Sequence, residues 1–279
     1  MRRALGVSAS SLWGLLSAAA SLSFVSAHAD KPQRIVSMSV CGDQYVLGMV
    51  KPERIAALSE DAHNPQISLQ YEKAQGIATT RGSAEEILLL KPDLVIANRW
   101  RGAKTVEILR QSGIEILMLS LPVTFEEIEA ETRLVGKAVG EKAKAEMLLN
   151  RLRQTTRPRD EKETGPRAAY FMPGGYSAGQ NTFVETVLHA AGYRNLASDL
   201  GLQGWSSLSL EQLVLEAPDV LVMSFFNRSG YSLSTRLREH SAMKKLMENT
   251  PTIDVPEKYW ACGGWFLFEA IDYLKRQKV

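Results

Sequence analysis

Gly82-Ser-Ala-Glu85-Glu-Ile-Leu-Leu-Leu-Lys-Pro92-Asp93-Leu-Val-Ile-Ala97 is matched, 126 positions on, by Leu208-Ser-Leu-Glu211-Gln-Leu-Val-Leu-Glu-Ala-Pro218-Asp219-Val-Leu-Val-Met223. In both stretches an acidic residue opens a short amphipathic helix, Pro-Asp ends it, and four apolar residues follow. Proline cannot continue a helix and biases its predecessor away from one. A short, wholly apolar run after a turn signal suits a strand buried on both faces of a parallel sheet. Two such units predict two α/β lobes of similar design, with the working surface in the gap between them.

Outward from the first template, Arg34–Met38, Ile55–Leu58 and Ile114–Leu119 read as strands. Helical stretches separate them, and alternation of this kind predicts a parallel sheet. From Thr124 the pattern changes. Thr124 with Glu127 forms a capping-box signal, and helical periodicity runs to Val139, then from Glu141 to about Thr156, with no strand between. These residues are expected to be a helical backbone joining the lobes. Around the second template, Arg167–Met172 and Thr252–Val255 read as strands, Thr182–Ala191 as a helix, and Gly264–Gln277 as a closing amphipathic helix. The expected division is a leader over 1–29, an N-terminal α/β lobe over 30–123, linking helices over 124–157, and a C-terminal α/β lobe over 158–279.

The leader reading rests on Arg2 and Arg3, an apolar stretch from Leu12 to Val25, and the small-x-small pattern Ala27-His-Ala29. The stretch is shorter than the roughly 20 residues a spanning helix needs, so cleavage after Ala29 and export to the periplasm are expected. Removing residues 1–29 takes two of 33 basic residues and none of 31 acidic ones, leaving no net charge. That balance gives no nucleic-acid footprint.

Ligands of open α/β sheets bind beyond the carboxyl ends of the strands. The residues that follow the predicted strands there include Cys41, Tyr45 and His63, then Arg99, Trp100 and Arg101. In the second lobe they include Tyr176, Trp205, Tyr231, Trp260 and Cys262. Aromatic rings with polar tips on such loops predict a ligand cleft. Catalytic signatures are missing: there is no Gly-x-Ser-x-Gly elbow, phosphate loop or His-Glu-x-x-His helix. No catalytic residue and no bare-metal site is expected, since only His63 of the three histidines beyond residue 29 falls on a predicted strand-end loop.

Pro32-Gln-Arg-Ile-Val-Ser37, Lys51-Pro-Glu-Arg-Ile-Ala-Ala57, the run from Glu85 to Ala97, the mid-chain helices and Leu188-His-Ala-Ala-Gly-Tyr-Arg-Asn-Leu196 resemble the helical-backbone (class III) periplasmic substrate-binding proteins of ABC importers. This is the family that serves vitamin B12 and ferric siderophores, and the local pattern lies nearest its vitamin B12-binding members. The resemblance implies two Rossmann-like lobes with parallel sheets joined by a long backbone helix. It implies a monomer that takes a small-molecule metal chelate to an ABC permease dimer with its ATPase, touching the membrane only through the permease. No cofactor of its own is implied; the cobalt or iron belongs to the carried ligand. By the same resemblance Trp100, Trp205 and Trp260 would stack on the chelate and Arg81, Arg99 or Arg101 would meet its anionic groups. Glu85 and Glu211 match the family's two lobe-surface glutamates, which dock on permease arginines. The cysteine pair departs from that pattern, and three readings stay open: an inter-lobe disulfide, unbridged cleft residues, or a thiolate ligand. Two rival functions also stand. One is an exported enzyme using Cys41 or Cys262 with His63, and the other is a ligand-free adaptor that docks the transporter.

Overall fold

The structure is a computed structural model and describes residues 31–99, 102–156, 165–224 and 233–277. The expected leader and its cleavage point lie outside these residues. The first lobe carries strands β1 (Ile35–Ser37), β2 (Ile55–Ser59), β3 (Thr79–Thr80), β4 (Leu94–Asn98) and β5 (Glu115–Leu119). They form a parallel sheet in the order β3-β2-β1-β4-β5. Its helices are α1 (Val40–Met49), α2 (Tyr71–Ala74), α3 (Ala84–Leu89) and α4 (Ala103–Gln111). Alternate residues of the central strands enter different cores. Ile35, Leu94 and Ile96 face one, while Val36, Val95, Ile87 and Leu109 form the other. That two-sided burial is why these strands read as unbroken apolar runs.

Beyond two linking helices, α5 (Phe125–Ala138) and α6 (Lys142–Thr155), the second lobe contains β6 (Arg167–Phe171), β7 (Tyr176–Ala178), α7 (Phe183–Ala191), β8 (Arg194–Asn195), α8 (Leu196–Asp199) and β9 (Trp205–Ser207). It continues with α9 (Leu210–Glu216), β10 (Val220–Met223), α10 (Leu233–Glu239), α11 (Ser241–Asn249), β11 (Thr252–Asp254) and α12 (Phe268–Arg276). Four of its strands make a parallel sheet, β11-β10-β6-β8, and β7 pairs with β9 as a separate antiparallel ribbon.

The repeated template folds the same way twice. Ser83 caps α3 by accepting from the Glu86 amide at 3.2 Å, and Ser209 caps α9 by accepting from the Gln212 amide at 3.1 Å. Lys91 and Ala217, equivalent positions before the prolines, both take left-handed backbone, with φ 47° and 43°. Asp93 then accepts from the Arg34 amide at 3.0 Å, and Asp219 from the Arg167 amide at 2.7 Å. Each aspartate thus ties its own strand to the start of the central one, β1 or β6.

The expected long backbone helix is a pair of helices turned back on each other at Gly140, whose φ of 72° suits glycine. Arg133 pairs with Glu146 at 2.6 Å and Arg153 with Glu129, an order only antiparallel helices give. The capping box at Thr124 and Glu127 forms as the spacing predicts. The turn end of this hairpin is held by the first lobe, where Arg54 donates to the Val139 carbonyl at 2.6 Å and to Glu141 at 2.7 Å. Its open end is held by the second lobe. Thr186 donates to the Val123 carbonyl at 2.6 Å, Lys275 to the Thr155 carbonyl at 2.6 Å, and the Arg151 guanidinium lies 4.0 Å from the centre of the Phe268 ring. One continuous core runs from Ile35, Leu58 and Ile96 through Ile128, Val135 and Leu149 to Tyr170, Val222 and Ile271.

Candidate functional site

In both sheets the chain leaves the central strand to opposite sides, and the crevice beyond the carboxyl ends at such a reversal is where doubly wound sheets bind ligands. In the first sheet the reversal lies between β1 and β4, so the described residues beyond it are Met38–Cys41, Arg99 and Gly102. The Met38 methyl lies 3.1 Å and 3.8 Å from where a Cβ on Gly102 or Gly82 would sit. The loops after β3 and β4 therefore converge over the end of β1, bringing Arg81 and Arg99 to one edge. Both are exposed. Arg81 pairs with Glu60 at 3.3 Å, but the side chains are 80% and 62% exposed. A pair so wet contributes at most about 1 kcal/mol, so Arg81 can be drawn to an incoming anion at little cost. Trp100 and Arg101 lie outside the described residues, as does Tyr231.

In the second sheet the reversal lies between β6 and β10. The β7–β9 ribbon stands at the end of β6, with Ala178 paired to Trp205 and Tyr176 to Ser207. Trp205 is 43% exposed and Tyr176 52%. The Trp205 ring meets Tyr170 and Phe183 edge-on, with centroids 6.1 Å and 5.9 Å apart. Buried rings against its edges fix its orientation while much of its surface stays open, which suits stacking on a flat ligand.

Two expected ligand contacts are corrected. Trp260 is only 2% exposed and packs against Tyr170, centroids 5.3 Å apart. It belongs to the layer beneath Trp205 and offers no face to a ligand. Tyr45 is 1% exposed and contacts Phe266 edge-on at 5.9 Å. It faces inward because α1 is buried along nearly its whole length, from Gly42 to Met49. Burial also pushes the phenols of Tyr45 and Tyr170 well above the ordinary tyrosine range, so both stay neutral.

Cys41 and Cys262 are bonded to each other across 221 residues, with Cα atoms 5.6 Å apart. The unbridged and thiolate readings are thereby overturned, and neither sulfur is a ligand contact as a thiol. The bond joins the start of α1, just past β1, to the segment that follows β11, so the carboxyl edges of the two sheets face each other. The Pro122 carbonyl, 2.5 Å from where a Cβ on Gly263 would sit, marks a second close approach there and explains the glycine. The rival catalytic trio is not assembled either: both cysteines are consumed by the bond, and the His63 Nε2 lies 2.9 Å from the Ala74 carbonyl. Among the described residues no cluster of three or more His, Cys, Asp or Glu is arranged to hold a metal ion.

Sequence reasoning missed Asp43, which lies beneath this edge. It is fully buried on α1 and accepts from the Ser59 amide at 3.1 Å and the Ser59 hydroxyl at 2.5 Å. Burial pushes its carboxyl up to about 7, with the serine hydrogen bonds offsetting part of the effect. An Asp opening a helix is a common cap signal, and nothing in the local sequence marks it as enclosed. Glu85 and Glu211, by contrast, are exposed on α3 and α9, as expected.

A recess of about 830 Å³ lies elsewhere, between the Pro65–Lys73 segment, α6 and the Lys258–Glu269 region. None of the expected ligand residues lines it. The strand-end edge, with its exposed tryptophan, tyrosine and arginines, is the stronger candidate because its chemistry suits a flat anionic ligand.

A family model described as "Periplasmic binding protein" matches residues 45–254. The chain belongs to the periplasmic binding protein family. This periplasmic binding protein is 26% identical over 198 residues to the "Cobalamin-binding protein" of Halobacterium salinarum, a match covering 69% of this chain and 54% of the archaeal protein. The chain thus spans about half the length of that relative. It is 22% identical over 229 residues to "Uncharacterized ABC transporter substrate-binding lipoprotein YvrC" of Bacillus subtilis, covering 75% and 71% of the two chains. Among solved structures it resembles the periplasmic heme-binding protein RhuT from Roseiflexus sp. RS-1, with TM-score 0.66, 22% identity, and coverage of 88% and 98%. The family model and these relatives are all described as binding proteins.

Proposed function

We propose that this chain is the periplasmic substrate-binding component of an ABC importer, holding a metal chelate between its lobes and handing it to a permease. The observation that carries the reading is Trp205, 43% exposed at the carboxyl edge of the second sheet, with exposed Arg81 and Arg99 at the facing edge of the first. A flat macrocycle with peripheral anionic groups suits that chemistry: rings stack on the indole and guanidinium groups meet carboxylate or phosphate. A corrinoid is favoured over haem or a ferric siderophore, because a cobalamin-binding relative stands at 26% identity and the local sequence resembles vitamin B12-binding members.

Trp205, Tyr176, Arg81 and Arg99 are the proposed ligand contacts, joined by Trp100, Arg101 and Tyr231. Glu85 and Glu211 are the proposed docking residues for the permease dimer, whose ATPase drives release and uptake. The protein acts as a monomer, exported with removal of residues 1–29, and carries no cofactor of its own. Its two arms are the segments over 30–123 and 158–279. No helix of the described residues is long and apolar enough to cross a membrane.

Calorimetric titration of the purified protein with cyanocobalamin, cobinamide, haem and a panel of ferric siderophores tests this. One-to-one binding of a single chelate class is expected, with the corrinoids tightest. Binding of haem or a siderophore alone would move the assignment within the chelate class. No heat from any of them would leave the adaptor reading in its place.

A further inference from the structure

Leu89 and Leu215 are 82% and 84% exposed, whereas the next large hydrophobic among the described residues, Met147, is 53% exposed. A single exposed leucine calls for no explanation. These two, however, occupy the same position of the repeated template, 126 residues apart. Each follows its docking glutamate by four residues, Glu85 before Leu89 on α3 and Glu211 before Leu215 on α9, so acid and leucine share one helix face. Neither helix relies on its leucine for packing, because Ile87 and Leu213, also equivalent, are the fully buried anchors. The two lobes therefore present the same small device: an exposed carboxylate with an exposed isobutyl group one turn on.

We propose that Leu89 and Leu215 are paired apolar knobs that seat the two lobes in equivalent sockets of one partner, each socket an apolar pocket beside a basic side chain. Twin sockets of that kind belong to a two-fold symmetric homodimer, here the membrane-embedded permease dimer. The inference rests on the permease-docking reading of Glu85 and Glu211 and assigns the other half of the contact. The carboxylates steer the encounter, and the leucines, buried only on docking, slow dissociation. The repetition is the reason to expect one homodimeric partner: two different partners would give no cause for the same residue at the same template position.

A photo-crosslinking residue placed at 89 or at 215 of the full chain, expressed in the host cell, reads this directly. Both positions are expected to capture one and the same multi-spanning membrane protein, identified by mass spectrometry, while the same probe at Met147 captures none of it. Different proteins from the two positions, a second copy of this chain, or no adduct at either would overturn the proposal. In parallel, Leu89→Ala and Leu215→Ala are each expected to release the protein from host membranes about tenfold faster, and together about a hundredfold. Far-UV circular dichroism should be unchanged, since Ile87 and Leu213 are retained. If Glu85→Ala and Glu211→Ala weaken association while the leucine variants do not, the knobs are wrong and the docking face stands. If none of the four has an effect, the docking reading itself falls.

Discussion

Asp43 is the residue whose chemistry departs furthest from expectation, a carboxyl sealed under α1 with Ser59 donating to it twice. Its pKa in the folded protein is about 7, against about 3.9 in an unfolded chain. The folded state therefore holds the proton more tightly. Its contribution to stability is fully present below about pH 4, declines as pH rises towards 7, and is flat above that. Asp43→Asn, which keeps the shape and carries no charge, should melt ever higher relative to the parent between pH 4 and 7, with a constant gap beyond. Thermal melts of both proteins across pH 4 to 8.5 check this, and a gap that does not change with pH would show that Asp43 ionises normally. At this scale little of the site was legible. A ring on a strand-end loop reads the same in sequence whether it faces a ligand, as Trp205 is placed to do, or lies in the layer beneath, as Trp260 does. Only the packing of Tyr170 between them separates the two.

At the scale of elements the sequence was far more legible, because each α/β unit carries its own punctuation. Helix-opening carboxylates, Pro-Asp stops and apolar runs set the templates, and the capping box set the start of α5. What escaped were pieces too short to show a period: β3 and β8 with two residues each, and the three-residue strands of the β7–β9 ribbon. The ribbon matters most, since it carries Tyr176 and Trp205. It is made by pairing across 27 residues, which no local pattern encodes. The helical hairpin is the element that sets the distance between the lobes, and Arg54 is its anchor on the first. With side-chain exposure of 11%, Arg54 donates to the Pro32 and Val139 carbonyls and to Glu141. Arg54→Ala leaves the two carbonyls without this donor and Glu141 with Lys31 alone, and should cost about 2–3 kcal/mol, measured as a lower urea midpoint. A loss below about 0.5 kcal/mol would mean that the hairpin is held by packing alone.

Across the whole molecule, a shared core, a two-helix brace and the Cys41–Cys262 bond tie the sheets together so that the lobes are suited to small rotations and not to wide hinge opening. The closed loop is long, and a chain-entropy estimate puts the bond's contribution at about 5 kcal/mol. The oxidised native protein should show no titratable thiol and the reduced, denatured protein two. Cys41→Ser with Cys262→Ser should lower the denaturant midpoint accordingly. Two thiols in the oxidised protein would remove the tie. The central claim, that a chelate is held against the second sheet's exposed indole, is tested most directly by tryptophan fluorescence. The parent protein and Trp205→Phe should each be titrated with cyanocobalamin and with haem. Saturable one-to-one quenching is expected in the parent, with the amplitude sharply reduced and the affinity weakened at least about tenfold in the variant. Equal quenching and equal affinity in both proteins, or none in the parent with either chelate, would contradict it.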